Sequence, residues 1–258
     1  SQHHMHLNLY DARSGELIRT VLTEDNDAWV EPYQEQIALT DNLFLYFTDN
    51  RDGYKGIYLA DVDGSIKSLT PAPADAQFID FRGGCLYYYS FEVSPAERHA
   101  YRVKLTLGKT ASKSRVGKPE RLTAERGWHS LVLTESGWCD FYRSFSNPGV
   151  LQAYTAKGKK TGPATLVEDP LTDYAVPRIE FGTVPSADGL YENHYRLYKP
   201  LGFDPSKKYP LIVYVYGGPH SQMVSDTWLG GVRMWELLMA QKGYVVYVQD
   251  NRGTQNRG

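Results

Sequence analysis

The amino-acid sequence predicts a β plus α/β fold, in which a partial β-propeller of about three blades precedes the opening of an α/β domain. An internal repeat supports the first part: Trp29, Phe78 and Trp128 begin similar segments and lie 49 and 50 positions apart, which suits a four-stranded blade. From about residue 174 the repeat gives way to long apolar strands and an amphipathic helix. We therefore predict a partial propeller over residues 1–173 and an α/β part over residues 174–258.

Each repeat begins with an apolar strand after its anchor residue, continues with an aromatic strand and, after a turn, ends with a third strand. The aromatic strands are predicted at 43–47, 86–89 and 141–145, and the third strands at 56–60, 100–105 and 150–154. Turn-forming pairs such as Asp52-Gly53 and Asp63-Gly64 lie between strand-like runs, where the backbone must reverse. This order of strands and turns is typical of propeller blades.

The number of blades predicts open edges. A propeller closes with about four to eight blades, and this chain supplies roughly three and a fraction. Unpaired strand edges recruit other chains, so we expect the chain to form a homodimer or to self-associate through those edges. Sedimentation as a monodisperse monomer would contradict this expectation.

In the last third, the strand 209–216 consists almost entirely of apolar and aromatic residues, which predicts burial on both faces of a mostly parallel sheet. A helix is predicted from Trp228 to Lys242, and Gly243 is expected to end it. Its apolar face is predicted to carry Leu229, Val232, Trp235, Leu238 and Met239. A second buried strand follows at 244–249. Strand, helix and strand in this order favour a parallel right-handed crossover.

Composition excludes several classes of partner. The formal net charge is -2 and the pI is about 6.4, so no concentrated positive field favours nucleic acid. The basic stretch 109–118 lacks interleaved aromatic residues and is interpreted as a solvated hairpin loop. Cys85 and Cys139 are far apart in sequence and are expected to be independent thiols. No metal site and no cofactor are predicted.

One motif stands where chemistry is expected. Tyr216-Gly217-Gly218 follows the first buried strand of the α/β part, and ligands gather outside the carboxyl ends of strands in open α/β sheets. Two glycines allow the backbone to approach another group closely. In α/β-hydrolases the loop after this strand contributes a donor to the oxyanion hole, which makes this loop a candidate site.

The segment around that motif resembles the prolyl oligopeptidase clan and, within it, the dipeptidyl peptidase IV family. The resemblance rests on Tyr-Pro-Leu-Ile-Val-Tyr-Val-Tyr-Gly-Gly-Pro-His-Ser-Gln at 209–222 and on Asp-Asn-Arg-Gly-Thr-Gln-Asn-Arg-Gly at 250–258. It implies an eight-bladed propeller that caps an α/β-hydrolase domain, whose N-terminal part would be residues 174–258. It also implies cleavage of dipeptides from peptide N-termini, with proline preferred in the second position.

The resemblance also assigns roles to two tyrosines. Tyr216 matches the residue that lends its hydroxyl to the oxyanion hole, and a phenol at a strand end suits a developing negative charge. Tyr33, in Trp-Val-Glu-Pro-Tyr at 29–33, matches an aromatic residue that lines the pocket for the substrate's first residue. The arginine expected next to it is replaced by Gln34. His220 and Ser221 match neither nucleophile nor base and are expected to shape the loop, and Arg252 and Arg257 to hold a loop by pairing.

The catalytic serine of the family sits in a Gly-x-Ser-x-Gly turn and is followed along the chain by Asp and His. No serine of this sequence stands in that pattern, so the resemblance implies that the triad lies beyond residue 258 and that this polypeptide alone is inactive. Bacterial members of the family are exported, which implies a periplasmic or cell-surface location.

Two other functions remain compatible with the sequence. One is a relative in the same clan that cleaves acylaminoacyl peptides or oligopeptides, and an upstream pair of glutamates would argue against it by indicating recognition of free N-termini. The other is a non-catalytic propeller that binds peptide or carbohydrate. An intact Gly-x-Ser-x-Gly turn followed by Asp and His in the downstream sequence would favour the peptidase.

Overall fold

The chain is mostly β-structure. The computed structural model describes residues 2–31, 36–218 and 220–257. They form two compact units, one built from residues 1–92 with 100–122 and the other from residues 93–99 with 123–257. The predicted boundary after residue 173 falls inside the second unit and stays a prediction. No helix in the described part of the chain is long and apolar enough to cross a bilayer.

The first unit begins with a hairpin and a four-stranded antiparallel sheet. The hairpin pairs β1 with β2, and the sheet has the order β3-β4-β5-β6. The bounds are β1 His4–Tyr10, β2 Leu17–Asp25, β3 Ile37–Ala38, β4 Leu43–Thr48, β5 Gly56–Asp61 and β6 Ile66–Ser68. The aromatic strand and the third strand predicted for the first repeat are therefore confirmed as β4 and β5.

A second antiparallel sheet contains five strands in the order β10-β9-β8-β7, with β11 also paired to β9. Its strands are β7 Ala76–Arg82, β8 Cys85–Ser90, β9 His99–Thr106, β10 Arg115–Val116 and β11 Glu120–Arg121. Two short strands, β10 and β11, pair with different parts of β9, and residues 117–119 separate them. Part of the basic stretch 109–118, interpreted as a solvated loop, thus forms β10.

The core of the first unit lies between these two sheets. Alternate residues of each strand face it, as the two-residue period of a strand requires. The largest contributions come from fully buried aliphatic side chains: Leu43, Leu45, Ile57, Leu59, Leu86 and Val103. Each such side chain contributes about 1.5–3 kcal/mol relative to an exposed one. The strands of the predicted repeat thus supply the core of this unit mainly through their aliphatic side chains.

The second unit contains a third antiparallel sheet, with the order β12-β13-β14-β15. Its strands are β12 Trp128–Leu133, β13 Gly137–Ser144, β14 Asn147–Thr155 and β15 Lys160–Leu166. Phe78 and Trp128 lie in β7 and β12, the first strands of their sheets. Trp29 does not lie in an equivalent strand: it follows β2 and is exposed, so the first of the three anchors was wrongly aligned.

A mixed sheet completes the second unit, with the order β16-β17-β19-β18. Its elements are β16 Arg178–Pro185, β17 Glu192–Lys199, β18 Leu211–Tyr214, α1 Met234–Gln241 and β19 Val245–Gln249. The parallel pairing predicted for the strands on either side of the helix is confirmed for β18 and β19. The predicted burial of β18 on both faces is wrong, because Leu211 and Val213 are 59% and 56% exposed on the face away from α1.

The predicted helix from Trp228 is also shorter than expected. Residues Trp228–Gly230 form a single 3-10 turn, and α1 begins only at Met234. The interruption has a local cause: Leu229, Gly230 and Gly231 all have positive φ angles, of 54°, 75° and 82°, which an α-helix cannot accommodate. The predicted apolar face is confirmed only in part: Val232 and Met239 pack against the core, together with Leu237 and Ala240, whereas Leu238 is 50% exposed.

Candidate functional site

The loop that follows β18 places Tyr216 at the carboxyl end of a strand. The chain leaves the sheet after Tyr214, and Tyr216 is 62% exposed. Tyr216 is therefore not a core residue that exposes only its hydroxyl. A phenol presented at this edge of the sheet can donate a hydrogen bond to a group outside the fold.

Two glycines shape this loop for different reasons. Gly217 has a φ of +73°, a left-handed conformation that other residues adopt only with strain. Gly218 leaves room for the Tyr216 ring: a Cβ there would lie 2.6 Å from Cε1 of Tyr216. The ring of Tyr216 thus lies directly against the backbone of Gly218, and any side chain at position 218 would displace it.

The far end of the loop is fixed by Asp250, the residue after β19. Its buried carboxylate accepts hydrogen bonds from the backbone N–H of Met223 at 2.7 Å and of Val224 at 3.1 Å. Burial raises the pKa of the Asp250 carboxyl, and the two N–H groups act in the opposite direction because they favour its charged form. A buried carboxylate with two donors holds the backbone in one position.

Gln222 and Asp226 connect the same loop to the strand hairpins of the second unit. The Gln222 amide donates to the carbonyl of Pro95 at 2.8 Å. The Asp226 carboxylate accepts from the Phe145 N–H at 2.8 Å and from Nε of Arg126 at 2.5 Å. A cavity of about 340 Å³ lies beside this ion pair, lined by Arg126, Ser144, Phe145, Ser146, Phe181 and Asp226.

Beneath the loop lies a fully buried ion pair between β17 and α1. Arg196 donates to Glu236 through Nη2 at 2.8 Å and through Nε at 3.2 Å, and it also donates to the carbonyls of Met223 and Gly230. Tyr198 donates its hydroxyl to Glu236 at 2.5 Å. Burial raises the pKa of Tyr198, so its phenol stays protonated and remains a donor.

The two arginines after β19 pair within the fold, as predicted. Arg252 pairs with Asp188 and lies over the ring of Tyr191, 4.9 Å from its centroid. Arg257 donates to the carbonyl of Glu192 at 2.8 Å and contacts Nδ1 of His194 at 2.9 Å. Both arginines thereby hold the segment after β19 against β17 and the turn before it.

The His194–Arg257 contact predicts an acid-sensitive stability. Burial and, next to it, the charge of the Arg257 guanidinium lower the pKa of His194 to about 4, against the opposing effect of Glu192 and Glu97. The folded state therefore favours the neutral imidazole, and its stability is complete above about pH 6.5 and declines as the pH falls toward about 4. We expect a loss of roughly 2 kcal/mol from this group, after allowance for partial solvent screening.

Urea unfolding followed by tryptophan fluorescence at pH 7.5 and pH 4.5 measures this effect. His194→Gln should lose less unfolding free energy between the two pH values than the unchanged chain. His6→Gln, which alters an exposed histidine of β1, is the control and should behave like the unchanged chain. Identical pH dependence in all three proteins would show that His194 does not titrate on unfolding.

The sequence identified part of this site. Tyr216 lies at the strand end where it was predicted, whereas Tyr33 lies outside the described residues. His220 has a positive φ of 60°, which agrees with a loop-shaping role. Sequence reasoning missed Asp250 as an anchor of the loop, although the rule used for Tyr216 applies to it: Asp250 also follows a strand of the same sheet and shares its carboxyl edge.

Comparison with known proteins gives consistent matches along the chain. The family model for the dipeptidyl peptidase IV (DPP IV) N-terminal region matches residues 1–150. Dipeptidyl peptidase 8 of Mus musculus is 33% identical over 197 residues, covering 70% of this chain and 20% of the mouse protein. Dipeptidyl peptidase 4 of Arthroderma otae is 28% identical over 227 residues, covering 83% of this chain and 28% of the fungal protein.

Solved structures match over the whole chain. A Bacteroides ovatus protein, provisionally assigned as a dipeptidyl aminopeptidase IV, has a TM-score of 0.84 and 31% identity, with 100% of this chain and 39% of that chain covered. Dipeptidyl peptidase 4 of Porphyromonas gingivalis has a TM-score of 0.79 and 25% identity, with 36% of that chain covered. This chain spans less than a third of the length of the mouse and Arthroderma otae relatives. Because the family model covers more than half of its residues, the chain belongs to the dipeptidyl peptidase IV N-terminal region family.

Proposed function

We propose that this chain is part of a serine exopeptidase that releases Xaa-Pro dipeptides from peptide N-termini, with Tyr216 as a donor in its oxyanion hole. The placement of Tyr216 carries the proposal: it is exposed at the carboxyl end of β18, and its ring lies against the backbone of Gly218. Membership of the dipeptidyl peptidase IV N-terminal region family supports the substrate class. In this proposal the three antiparallel sheets are propeller blades, and the mixed sheet opens an α/β-hydrolase domain.

The chemistry follows from where charge develops. When a serine hydroxyl adds to the scissile carbonyl, the carbonyl oxygen becomes an oxyanion and a base takes the serine proton. A phenol fixed at the edge of the cleft donates a hydrogen bond to that oxygen, and the bond is stronger in the transition state than with the substrate carbonyl. Tyr216 would supply this donor, while nucleophile and base would come from other parts of the protein.

Hydrolysis of chromogenic amides tests the proposal. The complete gene product should cleave Gly-Pro p-nitroanilide with a free amino terminus and leave its acetylated form intact. This chain alone should show no cleavage, because loss of a triad lowers turnover on the order of a millionfold. Cleavage of acetylated amino-acid amides would instead indicate an acylaminoacyl peptidase, and a complete product inactive on every amide would contradict the peptidase proposal.

A further inference from the structure

We propose that Asp250 and Asn251, the two residues that follow β19, are positioning residues for the loop of Tyr216; this inference rests on the proposed peptidase function. They hold the loop that presents Tyr216 from its two ends, one by a buried carboxylate and the other by an amide. Their proposed role is to fix where the phenol points.

Asp250 fixes the distal end of the loop. Its side chain is buried, its carboxylate receives the N–H groups of Met223 and Val224, and its own N–H donates to the carbonyl of His194 at 3.0 Å. The carboxylate therefore ties the loop, through β19, to the neighbouring strand β17. Hydrogen bonds to a charged group are about twice as strong as neutral ones, so this contact restrains the loop firmly.

Asn251 fixes the proximal end. Its Nδ2 donates to the carbonyl of Gly217 at 3.3 Å. That carbonyl belongs to the peptide between Gly217 and Gly218, and Gly218 lies against the ring of Tyr216. Its Oδ1 accepts the N–H of Gly253 at 3.0 Å, which holds the Asn251 side chain in a local turn. The amide is thereby already oriented when it meets Gly217, so it can restrain the peptide next to the phenol.

Restraint of this loop has a kinetic consequence. An oxyanion donor must lie within hydrogen-bond distance of the developing charge, and a misplacement of about 1 Å costs on the order of a hundredfold in rate. The donor acts in the transition state more than on the bound substrate. Loosening the loop should therefore lower kcat and leave KM nearly unchanged, whereas general unfolding would remove active enzyme without such a split.

Two variants of the complete gene product test the inference with Gly-Pro p-nitroanilide. Asp250→Asn turns one acceptor oxygen into a donor that faces a backbone N–H, and we expect kcat to fall about 10- to 100-fold. Asn251→Asp keeps the Oδ1 bond to Gly253 but replaces the donor toward Gly217 by an oxygen. We expect kcat to fall about threefold to tenfold, with KM within about twofold in both variants.

Matched controls make the same chemical changes elsewhere. Asp204→Asn alters a carboxylate that caps the backbone and hydroxyl of Ser206 in an exposed turn. Asn42→Asp alters an amide that donates to the carbonyl of Lys109 at 2.7 Å. Both control variants should have the same kcat as the protein without substitutions. If a thermal melt shows that Asp250→Asn does not fold, the kcat of Asn251→Asp tests the inference, because Asn251 is exposed and its substitution should not unfold the protein.

The outcomes separate the two proposals. Falls in kcat confined to the Asp250 and Asn251 variants support the positioning role. Variants that match their controls, or that change only KM, overturn the inference and leave the proposed function standing. A complete product without any dipeptidyl cleavage overturns both.

Discussion

Tyr216→Phe in the complete gene product should lower kcat for Gly-Pro p-nitroanilide about 100- to 1,000-fold, the usual effect of removing one oxyanion donor. The expected change is confined to one hydroxyl, because phenylalanine keeps the ring that lies against Gly218. The ring position at the end of β18 therefore survives while the donor is lost. KM should change little, because the hydrogen bond strengthens only as negative charge develops.

Tyr214→Phe is the matched control, two residues earlier on the same segment of chain. The Tyr214 hydroxyl accepts a hydrogen bond from Nη1 of Arg233 at 2.7 Å, so it is engaged with the residue that precedes α1 and not presented at the loop. This variant should retain its kcat. Equal losses in the two variants, or full activity of Tyr216→Phe, would exclude Tyr216 from the oxyanion hole.

Much of the β-structure was predictable because it depends on local patterns. The aromatic strands at 43–47, 86–89 and 141–145 were found within a few residues of β4, β8 and β13. Alternating apolar residues in these strands define a buried face with a two-residue period, and the turns between them carry glycine or asparagine. Both signals are contained in the segment itself, so no knowledge of distant contacts was needed.

The errors in the last third of the chain have two physical causes: one is the local glycine pair at 230–231, and the other is tertiary context. The apolar pattern from Trp228 favoured one long helix, but the positive φ angles at Leu229, Gly230 and Gly231 interrupt it. The buried side of α1 carries Glu236, a residue that a hydrophobic pattern assigns to solvent. Its burial depends on Arg196, which lies 40 positions earlier on β17, so local sequence contains no signal for it.

In the candidate site, too, some residues are predictable from local sequence and others depend on tertiary contacts. Tyr216 was predictable because its position depends on one strand and on the rule that chemistry gathers at carboxyl ends. The role of Asp250 depends on two backbone N–H groups of a loop 26 and 27 positions away. The steric need for glycine at position 218 depends on the rotamer of Tyr216. Anchoring and packing of this kind emerge only from the folded arrangement.

The buried pair of Arg196 and Glu236 gives the largest expected effect on stability. Glu236→Gln should lower the free energy of unfolding by about 3–5 kcal/mol, because it leaves the Arg196 guanidinium buried without its ion-pair partner. Both side chains are completely buried, and the carboxylate also accepts from Tyr198 and from the N–H of Arg233 at the start of α1. The loss should appear in urea unfolding as a lower midpoint with an unchanged slope.

Glu180→Gln is the control on the same sheet, since Glu180 pairs with Lys199 at 2.6 Å in a partly exposed site and should cost less than about 1 kcal/mol. Equal effects of the two substitutions would refute a special role for burial. The double variant Arg196→Met/Glu236→Leu removes both charges together, so it should be more stable than Glu236→Gln. The recovery should be partial, because the Tyr198 hydroxyl and the carbonyls of Met223 and Gly230 lose their partners. That recovery would identify the unpaired guanidinium, and not a disrupted helix start, as the cause of the loss.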